Sequence, residues 1–445
     1  MIIFTYLLFV TTLLVILCID RIIYNRRWYD PLYCFLFTTF IYVSPLSIRY
    51  ILDLPIEYGI TQYFYEIEDI FPYSIIATTI AVIIFYIFYI FSPKLIFKKN
   101  FLNTNKHNDF ILSKIGIIVF CLGLLNLSIL SQQFGGIKNV ILMGYNVTEI
   151  FAQSPMISMS INMMFSSSFL LLSSYSIARR KQNLFLSILT IAFCSIILIV
   201  MGRRSELVIF IGAYIIFYSL SIKQIKFKQI IPIAIAGFIF LNILGLVRNS
   251  DYDDIESFIE VSTQRIYNLE DNQDAGILYT LIHGQFAIPY ETLPILMKYN
   301  NNYLYGATIT DIFTQWIPRS IYPNKDYGIA VWYYHEFYNS NAPSNEGRQF
   351  FFLSEGYLNF GLIGIFIWSA LWGFFWKNIT SLTNYKNLLF YFVFSIYTSS
   401  MLILVPSDSV GLFTSIIKSH IIWFLLPYLL YLIIINIKNT AGKHI

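Results

Sequence analysis

Apolar runs of roughly 17–26 residues recur along this chain, each long enough for a helix to cross a bilayer. Inside hydrocarbon every backbone N–H and C=O must find a partner within the protein, which leaves helices and closed barrels as the spanning structures. Runs of this length predict bilayer-spanning helices. They fall near residues 1–19, 31–50, 73–93, 115–133, 157–177, 184–201, 207–222, 230–247, 350–376, 387–404 and 412–437, eleven in all. The chain is 57% hydrophobic and 12% charged, against roughly 45–50% and 25% for soluble domains. A soluble globular class is excluded. The expected fold is an all-α polytopic membrane protein: a bundle of eight helices over 1–247, a loop over 248–349, and three further helices over 350–445.

Loop charge orients the bundle. One alternate set of connections holds 18 of the 29 basic residues and only three acids, Asp20, Asp30 and Asp109. The other set, with adjoining helix ends, carries the remaining 11 basic residues and 22 acids. The positive-inside rule makes the first set cytoplasmic, the N-terminus external and the C-terminus internal. Met1–Cys18 lacks a basic leading region and a small-residue cleavage site, and so reads as a retained helix. Cys18, Cys34, Cys121 and Cys194 all fall in apolar runs, which supports neither a disulfide framework nor a zinc site.

Against that charge trend, Arg203 and Arg204 close the short outer turn Met201–Glu206 between two spans. Cations at a membrane boundary are costly to place and mark a functional site by default; the plainer reading has them snorkel to lipid phosphates. The outer segment from Arg248 to about Gln349 is too long for an ordinary connection. It is rich in aromatic and branched residues, which argues for a folded, mostly helical cap, with helices over 251–280 and 287–298. Arg248, Arg265, Arg319, Lys325 and Arg348 belong to this segment. Arginine's planar, permanently charged fork matches phosphate oxygens, so such residues at headgroup depth suit a polyprenyl pyrophosphate. The alternative is that they balance the outer acids as surface pairs.

A general base has several outer candidates: His283, His335, Glu346, Glu355 and Asp408, with Lys418 and His420 a turn into the last span. Glu355 opens a transmembrane run, where a carboxylate can take a proton from a sugar hydroxyl if an arginine keeps it ionised. It can equally be a helix-start acid favoured by the macrodipole. His335 needs less tuning to act near neutrality, although a histidine among aromatics is commonly packing. The choice between Glu355 and His335 stays open. Asp251–Asp254 has the look of a metal-binding Asp-x-Asp but lacks a nucleotide-binding domain around it, and Asn146-Val147-Thr148 is a sequon that matters only in a secretory-pathway host.

The arginine pair in the outer turn, the loop ending Ile317-Pro318-Arg319-Ser320-Ile321-Tyr322-Pro323-Asn324-Lys325, and the helix opening Glu355-Gly356-Tyr357-Leu358-Asn359-Phe360-Gly361 together resemble the Wzy-type O-antigen polymerases of Gram-negative bacteria. The resemblance implies a GT-C-like bundle in the inner membrane, acting on the periplasmic side. Undecaprenyl-pyrophosphate-linked oligosaccharide would be both donor and acceptor, with no metal, cofactor or nucleic acid. A chain-length regulator and a flippase are implied as partners. Pyrophosphate contact is implied for Arg204, Arg248, Arg319 and Arg348, with Arg203 and Lys325 as further candidates. The O-antigen ligases share this architecture and donor. A lipid-linked oligosaccharide flippase is the rival from another class, but it should show short loops, an even span count and charges within the bundle.

Overall fold

The computed structural model describes residues 1–54, 63–95, 108–133, 135–136, 155–201, 203–232, 237, 286–300, 302–317, 321–323, 325, 328–341 and 346–441. Its helices in chain order are α1 (Ile2–Ile23), α2 (Pro31–Leu52), α3 (Phe71–Phe91), α4 (Asp109–Gln132), α5 (Pro155–Ala178), α6 (Lys181–Val200) and α7 (Arg204–Ser221). There follow α8 (Ile288–Tyr299), α9 (Ala307–Thr314), α10 (Ile329–Phe337), α11 (Phe352–Ser381), α12 (Leu388–Ser399), α13 (Met401–Leu404) and α14 (Ile422–Ala441). Two π-helical turns, Gly411–Ser415 and Ile417–Ile421, lead into α14. Among the described residues nine helices are long and apolar enough to cross a membrane, and none of these residues forms a strand. The protein is a polytopic all-α membrane protein. The run expected over 230–247 lies largely outside the described residues, as does the helix expected over 251–280.

Helix ends follow local chemistry. The Asp30 side chain accepts from the Leu32 N–H ahead of Pro31 in the first turn of α2, and Asn108 accepts from Phe110 and Ile111 at the start of α4. Two runs read as single spans are interrupted. The run 387–404 breaks at Ser400, and α12 alone, at 12 residues, rises only about 18 Å. The run 350–376 breaks at Phe360–Gly361 inside α11.

The contacts of the chain form two compact units. The first comprises Met1–Leu95, Gly276–Ser381 and Ser400–Ile416. Here α11 lies along α3 so closely that a Cβ on Gly373 would stand 2.5 Å from the Phe85 carbonyl oxygen. An aromatic core joins three helices: Phe35 stacks on Phe85 at 3.7 Å, and Phe352 meets both Phe35 and Trp372. The second unit comprises Ile96–Ala275, Leu382–Ser399 and Ile417–Ile445. Its core helix α5 is rich in buried serines, and small residues let membrane helices approach closely. Ser167 Oγ donates to the Gly116 carbonyl of α4 at 2.7 Å, and Asn183 links Ser113 to Ser174.

Candidate functional site

The break in α11 organises the site. Phe360 leaves helical geometry and Gly361 sits at φ +65°, ψ −149°, a region essentially confined to glycine. In a straight helix, positions eight apart are separated by about 12 Å. Here the backbones of Gly356 and Gly364 touch: a Cβ on Gly356 would lie 2.6 Å from the Gly364 carbonyl oxygen and 2.9 Å from Trp368 Cβ. The segment Phe352–Asn359 is therefore a short arm folded back on the part of α11 that follows, and Glu355 opens that arm, not the continuous span expected from sequence. The carbonyls of Leu358 and Asn359, freed by the break, accept from the N–H groups of Leu304 and Tyr305 at 3.0 and 3.1 Å.

That arm carries Glu355 and Asn359 on one face, four residues apart. Glu355 is 0% exposed. Its Oε1 accepts from Thr308 Oγ1 at 2.8 Å and Ser409 Oγ at 2.6 Å, and its Oε2 accepts from the Ser409 N–H at 2.7 Å. Asn359 Nδ2 donates to Thr308 Oγ1 and to the Glu355 carbonyl, while its Oδ1 accepts from the Gly306 N–H, each at 2.8 Å. Glu355 thus ties α9 and the Ser409 turn to the arm, which satisfies a buried carboxylate as such a group requires.

In front of this network lies a cleft of about 470 Å³, walled by α9 and α10. Leu304, Thr308, Asp311, Trp332, His335 and Leu358 are among its lining residues. His335 faces the cleft; Glu355 lies behind Thr308 and does not. Asp408 secures the N-terminus of α10: its Oδ1 accepts from the Gly411 N–H at 2.8 Å, and its carboxyl stands beside Gly328. Burial pushes the Asp408 carboxyl above the usual carboxylate range, against backbone N–H bonds from Gly411 and Ile329 that pull it down. The other end of α10 is held by Tyr63, whose hydroxyl donates to the Phe337 carbonyl at 2.6 Å.

The described cationic candidates fall in both units. Arg348 Nε pairs with Glu291 Oε1 at 2.6 Å, its guanidinium stacks 4.3 Å from the Tyr338 ring, and the Tyr338 hydroxyl donates to the same carboxylate oxygen. Burial works to lower the pKa of Arg348, but Glu291 together with Tyr338 and Tyr333 outweighs it and the net shift is upward. Lys325 Nζ donates to the carbonyls of Gln315 and Ile317. In the second unit Arg203 pairs with Glu206 at 3.1 Å and donates to Ser158 Oγ at 3.0 Å, and Arg204 begins α7 half-buried. His420 is also in the second unit, enclosed by Asn162, Phe165 and Phe210, with Nδ1 3.0 Å from Asn162 Oδ1. Glu346 is exposed. Arg248, Arg265, Arg319, His283, the acidic run Asp251–Asp254 and the sequon at Asn146 lie outside the described residues.

Sequence reasoning passed over Asp311 and Trp332 in the cleft wall, and no motif marks either. It also passed over Arg49, 0% exposed within α2 and 5.8 Å from the Phe64 ring centroid. A lone cation near the end of a 22-residue apolar helix was the available signal.

Among curated proteins and among solved structures none matches this chain. One family model does, that of the O-antigen polysaccharide polymerase Wzy, and it matches residues 2–439. With an all-helical, multi-span fold and a match over nearly its whole length, the chain belongs to the O-antigen polysaccharide polymerase Wzy family.

Proposed function

We propose that the protein joins undecaprenyl-pyrophosphate-linked oligosaccharide repeat units into surface polysaccharide on the periplasmic side of the inner membrane, with its N-terminus outside and its C-terminus inside. The growing chain is donor, and the non-reducing sugar of a fresh lipid-linked unit is acceptor. An acceptor hydroxyl gives its proton to the imidazole of His335, and the oxygen attacks the anomeric carbon of the donor. The bond from that carbon to the pyrophosphate oxygen breaks, and its electron pair leaves with undecaprenyl pyrophosphate. Arginines stabilise the departing charge, as preorganised donors do for any developing anion. Arg204, Arg248 and Arg319 carry that role on the family resemblance. Arg203, Lys325 and Arg348 already engage groups of the protein itself and are assigned to holding the fold.

The observation that carries the reading is the position of His335, in the wall of an open cleft of about 470 Å³ within the size range of ligand sites. Its neighbours there suit a saccharide: Asp311 and Thr308 can bond hydroxyls, and Trp332 offers a ring face. Glu355, buried behind Thr308 with every carboxylate oxygen accepting a bond, is assigned a positioning role. The test is reconstitution with purified lipid-linked repeat units and a gel readout. Wild type should give a ladder. His335→Ala, at normal protein level and melting temperature, should lose about 10²–10⁴-fold in rate, as removal of a general base does. A His335→Ala ladder formed at the wild-type rate removes His335 from the chemistry.

A further inference from the structure

Helix α9 is amphipathic in the wrong sense for water. Along it and the turn that follows, Ile309, Phe313, Trp316 and Ile317 fall at i, i+4, i+7 and i+8, one face of a helix. All four are exposed, Phe313 at 70%. The opposite face carries Thr308, Asp311 and Gln315; Thr308 is buried against Glu355, and Thr308 and Asp311 line the cleft. A short helix in water buries its apolar face and exposes its polar one. This helix does the reverse.

The exposed face continues an existing lipid-facing surface. Gly306, at the start of α9, sits against both Ile309 and Phe360: a Cβ there would be 3.7 Å from Ile309 Cδ1 and 3.5 Å from Phe360 Cζ. Phe360 stands at the break where the spanning part of α11 begins. Beyond it Leu362, Ile363, Ile367 and Leu371 are exposed along one flank, as the outside of a bilayer-spanning helix must be. Ile309 begins where that flank ends, so α9 lies at the height of the membrane boundary. Tyr305 and Trp316, both exposed, are residue types enriched at that depth.

We propose that α9 is an interfacial helix. Ile309, Phe313, Trp316 and Ile317 seat in the headgroup–acyl boundary of the leaflet next to the α11 break, as amphipathic surface helices do. Its polar face forms the wall between that leaflet and the cleft. A saccharide headgroup carried on a lipid therefore reaches the cleft sideways past α9, and its lipid never leaves the bilayer. The seating of α9 rests on the fold alone and stands whether or not His335 is the base.

The test uses the full chain with Cys18, Cys34, Cys121 and Cys194 changed to serine, in nanodiscs of phosphatidylethanolamine and phosphatidylglycerol. A nitrobenzoxadiazole label is placed on Phe313→Cys or Ile317→Cys, and on Asn339→Cys as an exposed control. At Phe313 and Ile317 the label should emit to the blue and be quenched several-fold more by a shallow lipid-borne nitroxide than by a water-soluble one. At Asn339 the order should reverse. Quenching of the Phe313 and Ile317 labels mainly from water overturns the proposal. A label shielded from both quenchers means that a protein surface covers α9, and that overturns it too.

Discussion

Replacing Glu355 separates a positioning carboxylate from a catalytic one, because the structure fixes what each substitution leaves behind. Glu355→Ala strips the acceptor from the buried Ser409 N–H and from the hydroxyls of Thr308 and Ser409. A buried N–H left alone costs about 1–3 kcal/mol, and the two lost hydroxyl bonds to a charged acceptor add about 1.5–3 kcal/mol each, for a total of about 4–9 kcal/mol. Glu355→Gln can keep one oxygen toward the Ser409 N–H and turn its NH₂ toward the two hydroxyls, which rotate to accept. It also removes a buried charge, so its net change should stay within about 2 kcal/mol. Thermal unfolding in detergent measures the stability, and initial polymerisation rate in proteoliposomes measures the chemistry. The expected pattern is a Glu355→Gln enzyme within a few-fold of wild type and a Glu355→Ala enzyme that melts early. A Glu355→Gln protein with wild-type melting and a rate down by about 10²-fold or more would make Glu355 the base and refute the positioning role.

Four other substitutions probe the surrounding frame. Gly364→Ala forces a methyl into the Gly356 backbone and should destabilise by at least the about 1–3 kcal/mol typical of overpacking; an unchanged melting temperature would disprove the folded-back arm. Arg348→Ala leaves Glu291 buried with its cation gone, a loss of about 3–5 kcal/mol. Adding Glu291→Gln should recover part of it in a double-mutant cycle, whereas a purely pyrophosphate-binding Arg348 would give weaker donor binding at normal stability. Asp408 tests linkage. Because burial raises its folded pKa, the native state binds the proton more tightly than the unfolded chain. Its stabilising contribution is then full below the unfolded value of about 3.9 and lost as pH rises through the folded one. The melting temperature of wild type minus that of Asp408→Asn should fall over that window, and a flat difference would contradict the burial effect.

The spans were legible because bilayer thickness imposes a length on apolar runs, and α1 to α7 lie where those runs predict. The family resemblance, drawn from the arginine pair and the Glu355–Gly361 segment, agrees with the match over residues 2–439. The fold-back of α11 was not legible. Hydrophobicity continues through Phe360 into Leu362 and Ile363, so the run looks unbroken, and only the glycines at 356, 361 and 364 hint that two backbones meet. The pairing of Arg348 was not legible for another reason. Its partner Glu291 lies 57 residues away along the chain, and no local pattern announces a pairing made by tertiary contact.

The cleft escaped sequence reasoning because a membrane protein reverses the sign of the usual inference. Glu355 and Arg49, both in helices apolar and long enough to span, are each 0% exposed, although such residues are almost never fully buried in soluble proteins unless paired. Lipid offers them no hydration on the outside, so the interior is where their bonds can be made. The same inversion operates in α9, where the polar residues Thr308 and Asp311 turn inward and Phe313 turns out. An amphipathic pattern in the segment 302–317 therefore locates the cleft only once the solvent on its apolar side is known. Read as water, that pattern hides Asp311 on a solvated surface. Read as lipid, it points Asp311 and Thr308 toward the cavity that His335 also lines.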